Sequence, residues 1–238
     1  MNKGHIHLPT LKEYPGGKGS VYQTIINQIP AHNCYLEGYL GAGSVLRNIR
    51  PAARTIGIEA SADTLGHWQN RLHSIPMKLE LYHSLFLEVI AQLDLPKDTF
   101  IYLDPPYPIE SRKKKHRIYK YEMTNEQHIE LLNFIKKLPF SVAISSYPNR
   151  LYTEHLVGWR AIEFLAQTRQ GMALEVLYMN YEEPKLLHDY SFYGSNKTKR
   201  QNFKRRKEKL FNKFEQMNVQ ERNYYLQELN RVYASPQG

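Results

Sequence analysis

The sequence predicts an α/β fold, a mostly parallel sheet flanked by helices, followed by a basic helical C-terminal extension. Three observations lead there. Short apolar runs alternate with longer amphipathic segments over 1–194, the pattern of strand–helix units. Composition changes near 195, where basic residues crowd together. No internal repeat replaces the alternation, and 238 residues suffice for one substantial core with a small appendage. The expected domains are therefore 1–194 and 195–238.

Strands are expected at CYLEGYL (34–40), TIGIEA (55–60), KLELYH (78–83), TFIYL (99–103), FSVAISSY (140–147) and ALEVLYMNY (173–181). Between the fourth and fifth of these lies the clearest helix, 125–137. Ile129, Leu131, Leu132 and Ile135 make one apolar stripe there, and Thr124 with Gln127 forms a capping-box signal at its start. In the extension, SNKTKRQNFKRRKEKLFNK (195–213) sets nine Lys or Arg against one Glu. Leu210, Phe211, Phe214 and Met217 follow helical spacing, and Asn218 with Glu221 opens a last helix through Tyr224, Tyr225, Leu229 and Val232.

The formal net charge of +9 and pI near 9.4 favour a polyanionic partner such as nucleic acid, alongside the plainer reading of a soluble basic protein. The single cysteine, Cys34, excludes an internal disulfide and a multi-cysteine zinc site. With no signal-peptide pattern and no membrane-spanning apolar run, a cytoplasmic protein is expected.

Two glycine-rich points stand out: YPGGKGS (14–20) and EGYLGAGSV (37–45). In the second, a strand is expected to enter a loop containing Gly41, Ala42 and Gly43 and to leave as a helix. Glycines there let backbone approach a ligand, and a helix N-terminus offers N–H groups to an anion; a plain tight turn is the competing reading. Glu59, near the end of the next strand, is the kind of acid that holds a ribose hydroxyl pair in nucleoside-binding α/β folds. The loop is neither a full dinucleotide fingerprint nor a Walker loop.

FIYLDPPYP (100–108) carries the most chemistry. Asp104 is expected at the carboxyl end of a strand, where open α/β sheets place their ligands. Pro105 and Pro106 fix φ and remove two N–H donors, so backbone carbonyls there face a ligand without competing donors. A carboxylate and a carbonyl aimed at one point suit an –NH₂ group, and Tyr107 offers a ring for stacking. These features describe a pocket for a flipped-out base bearing an exocyclic amine, against the alternative of a rigid turn after a buried strand.

DPPY after a strand, preceded by YPGGK and by EGYLGAGSV in that order, resembles the alpha-group amino-methyltransferases of DNA, which include Dam-type and D12-class adenine-N6 enzymes. The resemblance runs from about Tyr14 to Tyr181, through RIYKYEMTNEQHIELL, VAISSYPNRLYTEHLVGW and LEVLYMNY, and is closest to compact phage and prophage members. It implies a Rossmann-like S-adenosylmethionine-dependent methyltransferase fold. It also implies site-specific transfer of that cofactor's methyl group to the N6 amine of adenine in double-stranded DNA, without metal, as modification in a restriction-modification or phage setting. Tyr14, Gly17 and Lys18 match the N-terminal cofactor motif. Glu37, Gly41, Ala42 and Gly43 match the loop around the cofactor's methionine part, and Glu59 the ribose acid. Asp104, Pro105, Pro106 and Tyr107 match the target-base site, where the acid and first proline carbonyl bind the amine; Asp104 also adjoins the cofactor. A monomer or weak dimer is expected.

Three departures shape further expectations. Gly38 and Tyr39 stand where the family has Pro and Phe, and LYHSLF (81–86) lacks the acid that usually holds the cofactor adenine. The chain has almost no room for a recognition insert before DPPY. The expected nucleic-acid contacts are therefore the loop 109–123, through Arg112, Lys113, Lys114, Lys115, Arg117, Lys120 and Tyr121, and the second basic block, through Lys204, Arg205 and Arg206. Arg112 and Arg117 are the candidates for reading guanine edges. His128 is expected to pack or position its helix, and Ser145, Ser146 and Tyr147 to line the pocket. RNA adenine methylation and an inactive DNA-binding module are the alternatives. Cytosine-N4 methylation is disfavoured by Asp104, where those enzymes more often carry Ser.

Overall fold

The computed structural model describes residues 18–19, 21–75, 77–112, 121–168 and 171–233. They divide into two compact units, Met1–Phe192 and Tyr193–Gly238.

Among the described residues the first unit holds seven strands, β1 (Cys34–Glu37), β2 (Arg54–Glu59), β3 (Leu79–His83), β4 (Thr99–Leu103), β5 (Ser141–Ser146), β6 (Arg160–Thr168) and β7 (Gly171–Met179). Its helices are α1 (Tyr22–Ile26), α2 (Ala62–Gln69), α3 (Phe86–Ile90), α4 (Asn125–Ile135) and α5 (Arg150–His155). Sheet order is β3-β2-β1-β4-β5-β7-β6, parallel except for β7, which runs antiparallel to both neighbours. This is the Rossmann-like sheet that the sequence predicts. β1, β4 and β5 are buried on both sides, and alternate residues enter two separate apolar clusters. Tyr35, Phe100 and Tyr102 join one with Ile25, Leu46 and Trp68. Leu36, Ile101 and Val142 join the other with Phe86, Leu131 and Tyr152. Strand order reverses between β1 and β4, so their carboxyl ends frame the crevice in which such sheets bind ligands.

Helix α4 starts as its sequence signals. Thr124 accepts from Gln127 N and Gln127 accepts in return from Thr124 N, while His128, Leu131, Leu132 and Ile135 are buried. Two expectations need correction. Strand β6 is an addition to the expected set, and it pairs along its full length with β7 to make the antiparallel edge hairpin. The segment after the Gly41–Gly43 loop is a series of turns over 44–49 rather than a helix, held by bonds such as Arg47 N to Gly43 O. Its Leu46 N–H donates to Glu37 instead of facing outward.

The second unit contains α6 (Lys197–Gln216) and α7 (Val219–Tyr233). Asn196 caps α6 and the Asn218 side chain accepts from Glu221 N at the start of α7. The Arg222 guanidinium ties the turn between them by donating to the carbonyls of Phe214 and Met217. Neither helix buries a residue; Lys204, Arg205 and Arg206 are exposed along α6.

Candidate active site

The ends of β1, β2 and β4 open onto a cavity of about 620 Å³. Lys18, Glu37, Gly41, Gly43, Glu59 and Asp104 line it, with Ser84, Glu88, Pro106 and Tyr121 on further walls. Volume and lining suit a nucleoside-sized ligand.

Its floor is a glycine turn. Gly41 and Gly43 adopt φ of +48° and +58°, a region closed to most side chains. A Cβ on Gly43 would lie 2.4 Å from the Trp68 ring. Trp68, from α2, also donates from Nε1 to Gly41 O at 2.8 Å, so one buried indole fixes the turn from behind. Gly38, where the family pattern has proline, is equally constrained: a Cβ would lie 2.4 Å from Leu103 and 2.6 Å from Phe86.

Two buried acids hold the turn. Glu59 accepts from Gly41 N and Ser61 N, both at 2.8 Å. Burial pushes its carboxyl up, against the pull of those backbone donors. Glu37 accepts from the Tyr35 hydroxyl at 2.8 Å and Leu46 N at 3.0 Å, and burial raises it to about 8.

Asp104 follows β4 directly. The Lys18 ammonium lies 2.6 Å from Asp104 Oδ1 and donates to the Tyr107 hydroxyl at 2.6 Å. Tyr107 in turn donates to Glu175 at 3.0 Å, and Glu175 is 3.4 Å from the same ammonium. Burial pushes the Asp104 carboxyl up; Lys18 opposes this and Glu175 adds to it.

Tyr107 is 7% exposed, with its ring edge-on to Tyr147 at 4.6 Å. Its hydroxyl belongs to the Lys18 network, so the expected stacking face is not open, and Tyr107 does not line the cavity. The exposed ring on the wall is Tyr121.

Arg112 corrects another expectation. It is 5% exposed; its Nε donates to Tyr107 O at 3.0 Å, and its guanidinium pairs with the part-buried Glu122 carboxylate. A guanidinium so engaged clamps the DPPY turn. Tyr14, Gly17, Lys113, Lys114, Lys115, Arg117 and Lys120 lie outside the described residues. Pro105 follows Asp104 in the turn without lining the cavity, whereas Ala42 lines it with its flanking glycines.

His128 is fully buried with Nδ1 3.1 Å from the Tyr152 hydroxyl, and burial with nearby Arg112 lowers it to about 4. A neutral, enclosed imidazole fits the packing role. The expected pocket lining at the end of β5 needs correction: Ser145 and Ser146 are buried against Tyr102 and Asn149, and Tyr147 packs on Tyr107, so none of the three lines the cavity.

Three contributors have no place in the sequence reading: Trp68, Glu88 and Glu175. Glu88 sits on the wall where the family acid is missing, with Oε2 near Ser84 Oγ and accepting from Leu85 N at 3.3 Å. Only Glu175 carries a local signal, as the lone acid in an apolar strand.

Residues 65–163 match the family model of the D12 class N6 adenine-specific DNA methyltransferases. The resemblance read from the sequence is thus shown over the span from α2 into β6, which includes DPPY and α4. Lys18, the glycine turn, Glu59 and Glu175 lie outside it. Among curated proteins, none matches the chain. Solved structures similar to it include three proteins. A precorrin-8W decarboxylase from Methanobacterium thermoautotrophicum is 11% identical over 74% of this chain and 97% of that one, with a TM-score of 0.47. A precorrin-6Y C5,15-methyltransferase from Geobacter metallireducens is 14% identical over 73% and 92%, with a TM-score of 0.45. TrmK from M. capricolum, in complex with S-adenosylhomocysteine, is 9% identical over 90% and 95%, with a TM-score of 0.46. Among the described residues no group of His, Cys, Asp and Glu is arranged to hold a metal, and no helix is long and apolar enough to cross a membrane.

Proposed function

We propose that this chain transfers the methyl group of S-adenosylmethionine to the N6 amine of an adenine flipped out of DNA. The observation that carries the reading is Asp104, an acid with one oxygen anchored by Lys18, standing at the end of β4 on a cavity that the glycine turn also lines. The DPPY turn lies within the span that matches the D12 family.

The residues present fit the cofactor. A backbone turn held open at Gly41 and Gly43 suits its methionine part, Glu59 its ribose hydroxyls, and Glu88 its adenine amine in place of the family acid. S-adenosylmethionine, when bound, supplies a methyl group on a sulfonium leaving group. The chain's own work is to hold the acceptor. Asp104 accepts one N6 hydrogen and a backbone carbonyl of the DPPY turn the other, which turns the nitrogen lone pair toward the methyl. The N6 nitrogen becomes more electron-rich as its N–H bonds lengthen toward these acceptors, and the proton it sheds on gaining the methyl leaves on the Asp104 side. Arg112 keeps this turn rigid through Tyr107 O. Tyr121 offers the base a ring at the cavity wall.

Affinity for DNA is assigned to Lys113, Lys114, Lys115, Arg117 and Lys120, and to Lys204, Arg205 and Arg206 on α6. The test is transfer of labelled methyl from S-adenosylmethionine to adenine-containing DNA and RNA by the purified protein. DNA labelling with Asp104→Ala silent supports the reading; labelling of RNA alone replaces it with the RNA enzyme.

A further inference from the structure

Glu175 has no role in the chemistry above, yet it belongs to the same buried cluster. It lies on β7 just before Val176, the residue paired with Ser146 at the carboxyl end of β5. Glu175 therefore stands one residue beyond the last β5–β7 pair, on the sheet edge that carries Asp104. There its carboxylate is 3.4 Å from the Lys18 ammonium and accepts the Tyr107 hydroxyl at 3.0 Å. Lys18, Tyr107 and Glu175 are 6%, 7% and 5% exposed.

Among the described residues, one cation and two carboxylates share this cluster. Lys18 with Asp104 alone is a neutral pair, in which the ammonium draws off the charge that the amine must feel. A second carboxylate behind the ammonium offsets that pull and leaves the cluster net negative. In a buried site such compensation is felt strongly, because little water screens it. Other titratable groups facing Asp104 are Glu37 from β1, Tyr102 from β4, Tyr147 beyond β5 and Tyr152 from α5. Of the two additional acids, Glu175 stands against Lys18, whereas Glu37 is committed to Tyr35 and Leu46.

We infer that Glu175 is a positioning residue for methyl transfer: as second counter-ion of Lys18 and acceptor for Tyr107, it keeps Asp104 a strong acceptor for the adenine amine. The inference rests on the function proposed above and adds a residue outside the family match.

The experiment titrates the Asp104 carboxyl carbon by ¹³C NMR in the full chain, assigned with Asp104→Asn, for wild type, Glu175→Gln and Glu175→Asp. Single-turnover methyl transfer to a DNA duplex and S-adenosylmethionine affinity are measured alongside. In Glu175→Gln, Asp104 should titrate at lower pH than in wild type. Transfer should slow roughly tenfold, as for loss of one hydrogen bond to a charged group, with cofactor affinity within about twofold. Glu175→Asp, which keeps the charge and serves if the glutamine variant folds poorly, should recover part of both effects. Unchanged Asp104 titration in both variants overturns the inference. A shifted titration in a wild-type background that methylates no DNA supports the charge coupling and refutes the methyltransferase reading instead.

Discussion

Replacing Gly43 by alanine tests the glycine turn, proposed above to hold the cofactor, with a magnitude that follows from its geometry. At φ +58° a non-glycine residue costs about 1–2 kcal/mol. The new Cβ would lie 2.4 Å from Trp68 Cζ2, so the indole must move, at an overpacking cost of about 1–3 kcal/mol. Movement also endangers the 2.8 Å bond from Trp68 to Gly41 O, about 1 kcal/mol more. A total of about 3–6 kcal/mol corresponds to a fall in Tm of roughly 6–24 °C for a unit of this size. Gly66 is the control. It lies inside α2 with nothing within 4 Å of where a Cβ would stand, so Gly66→Ala should gain up to about 1 kcal/mol in helix propensity. Differential scanning calorimetry gives both shifts, and titration calorimetry gives S-adenosylmethionine affinity, expected to be lost in Gly43→Ala and kept in Gly66→Ala. A Gly43→Ala protein with wild-type Tm and wild-type affinity would mean that the turn tolerates a side chain and that Trp68 does not fix it.

Arg112→Ala should destabilise the first unit by up to about 3 kcal/mol in urea unfolding, because it strands the largely enclosed Glu122 carboxylate, while leaving the salt dependence of DNA binding in place. Neutralising Lys113, Lys114 and Lys115 together should do the opposite: stability holds, and the log–log salt slope shrinks by up to about 2.7. Stability should fall on acidification through His32, which stacks on His188 at 3.7 Å and is lowered to about 3 by burial, then by His188. Its folded value lies below its unfolded one, so the contribution is complete above about pH 6.5 and drains away toward pH 3, at no more than about 1.4 kcal/mol per pH unit. His32→Phe, which keeps a ring against Phe100 and His188, should flatten that slope in urea titrations at about pH 5 and 7.5.

Much of the site is legible in the sequence because its signals are local. DPPY is rigid in any context, and its place after an apolar run puts Asp104 at the end of β4 without reference to any tertiary contact. Glu59 and the Gly41–Gly43 turn follow from strand-to-loop spacing in the same way. What stays hidden depends on partners far away in the chain. Trp68 and Glu175 matter only because folding sets them against Gly41 and Lys18. Arg112 reads as part of a solvated basic run because its carboxylate partner, Glu122, stands ten residues downstream, across that run. β6 carries a mixed polar pattern, being half exposed at the sheet edge, and so lacks the continuous apolar signature of β1 or β4. The turns at 44–49 show the reverse: a helix-like sequence bent to the needs of Glu37, which takes the Leu46 N–H.

The most direct test is nucleoside mass spectrometry of DNA methylated in vitro by the purified chain with S-adenosylmethionine, beside Asp104→Ala. N6-methyladenine from the wild-type protein, with at least about a hundredfold less from the variant at unchanged DNA affinity, is the result expected when Asp104 holds the amine. N6-methyladenine formed equally by both proteins, or none from a wild-type protein that binds both cofactor and DNA, would contradict the account.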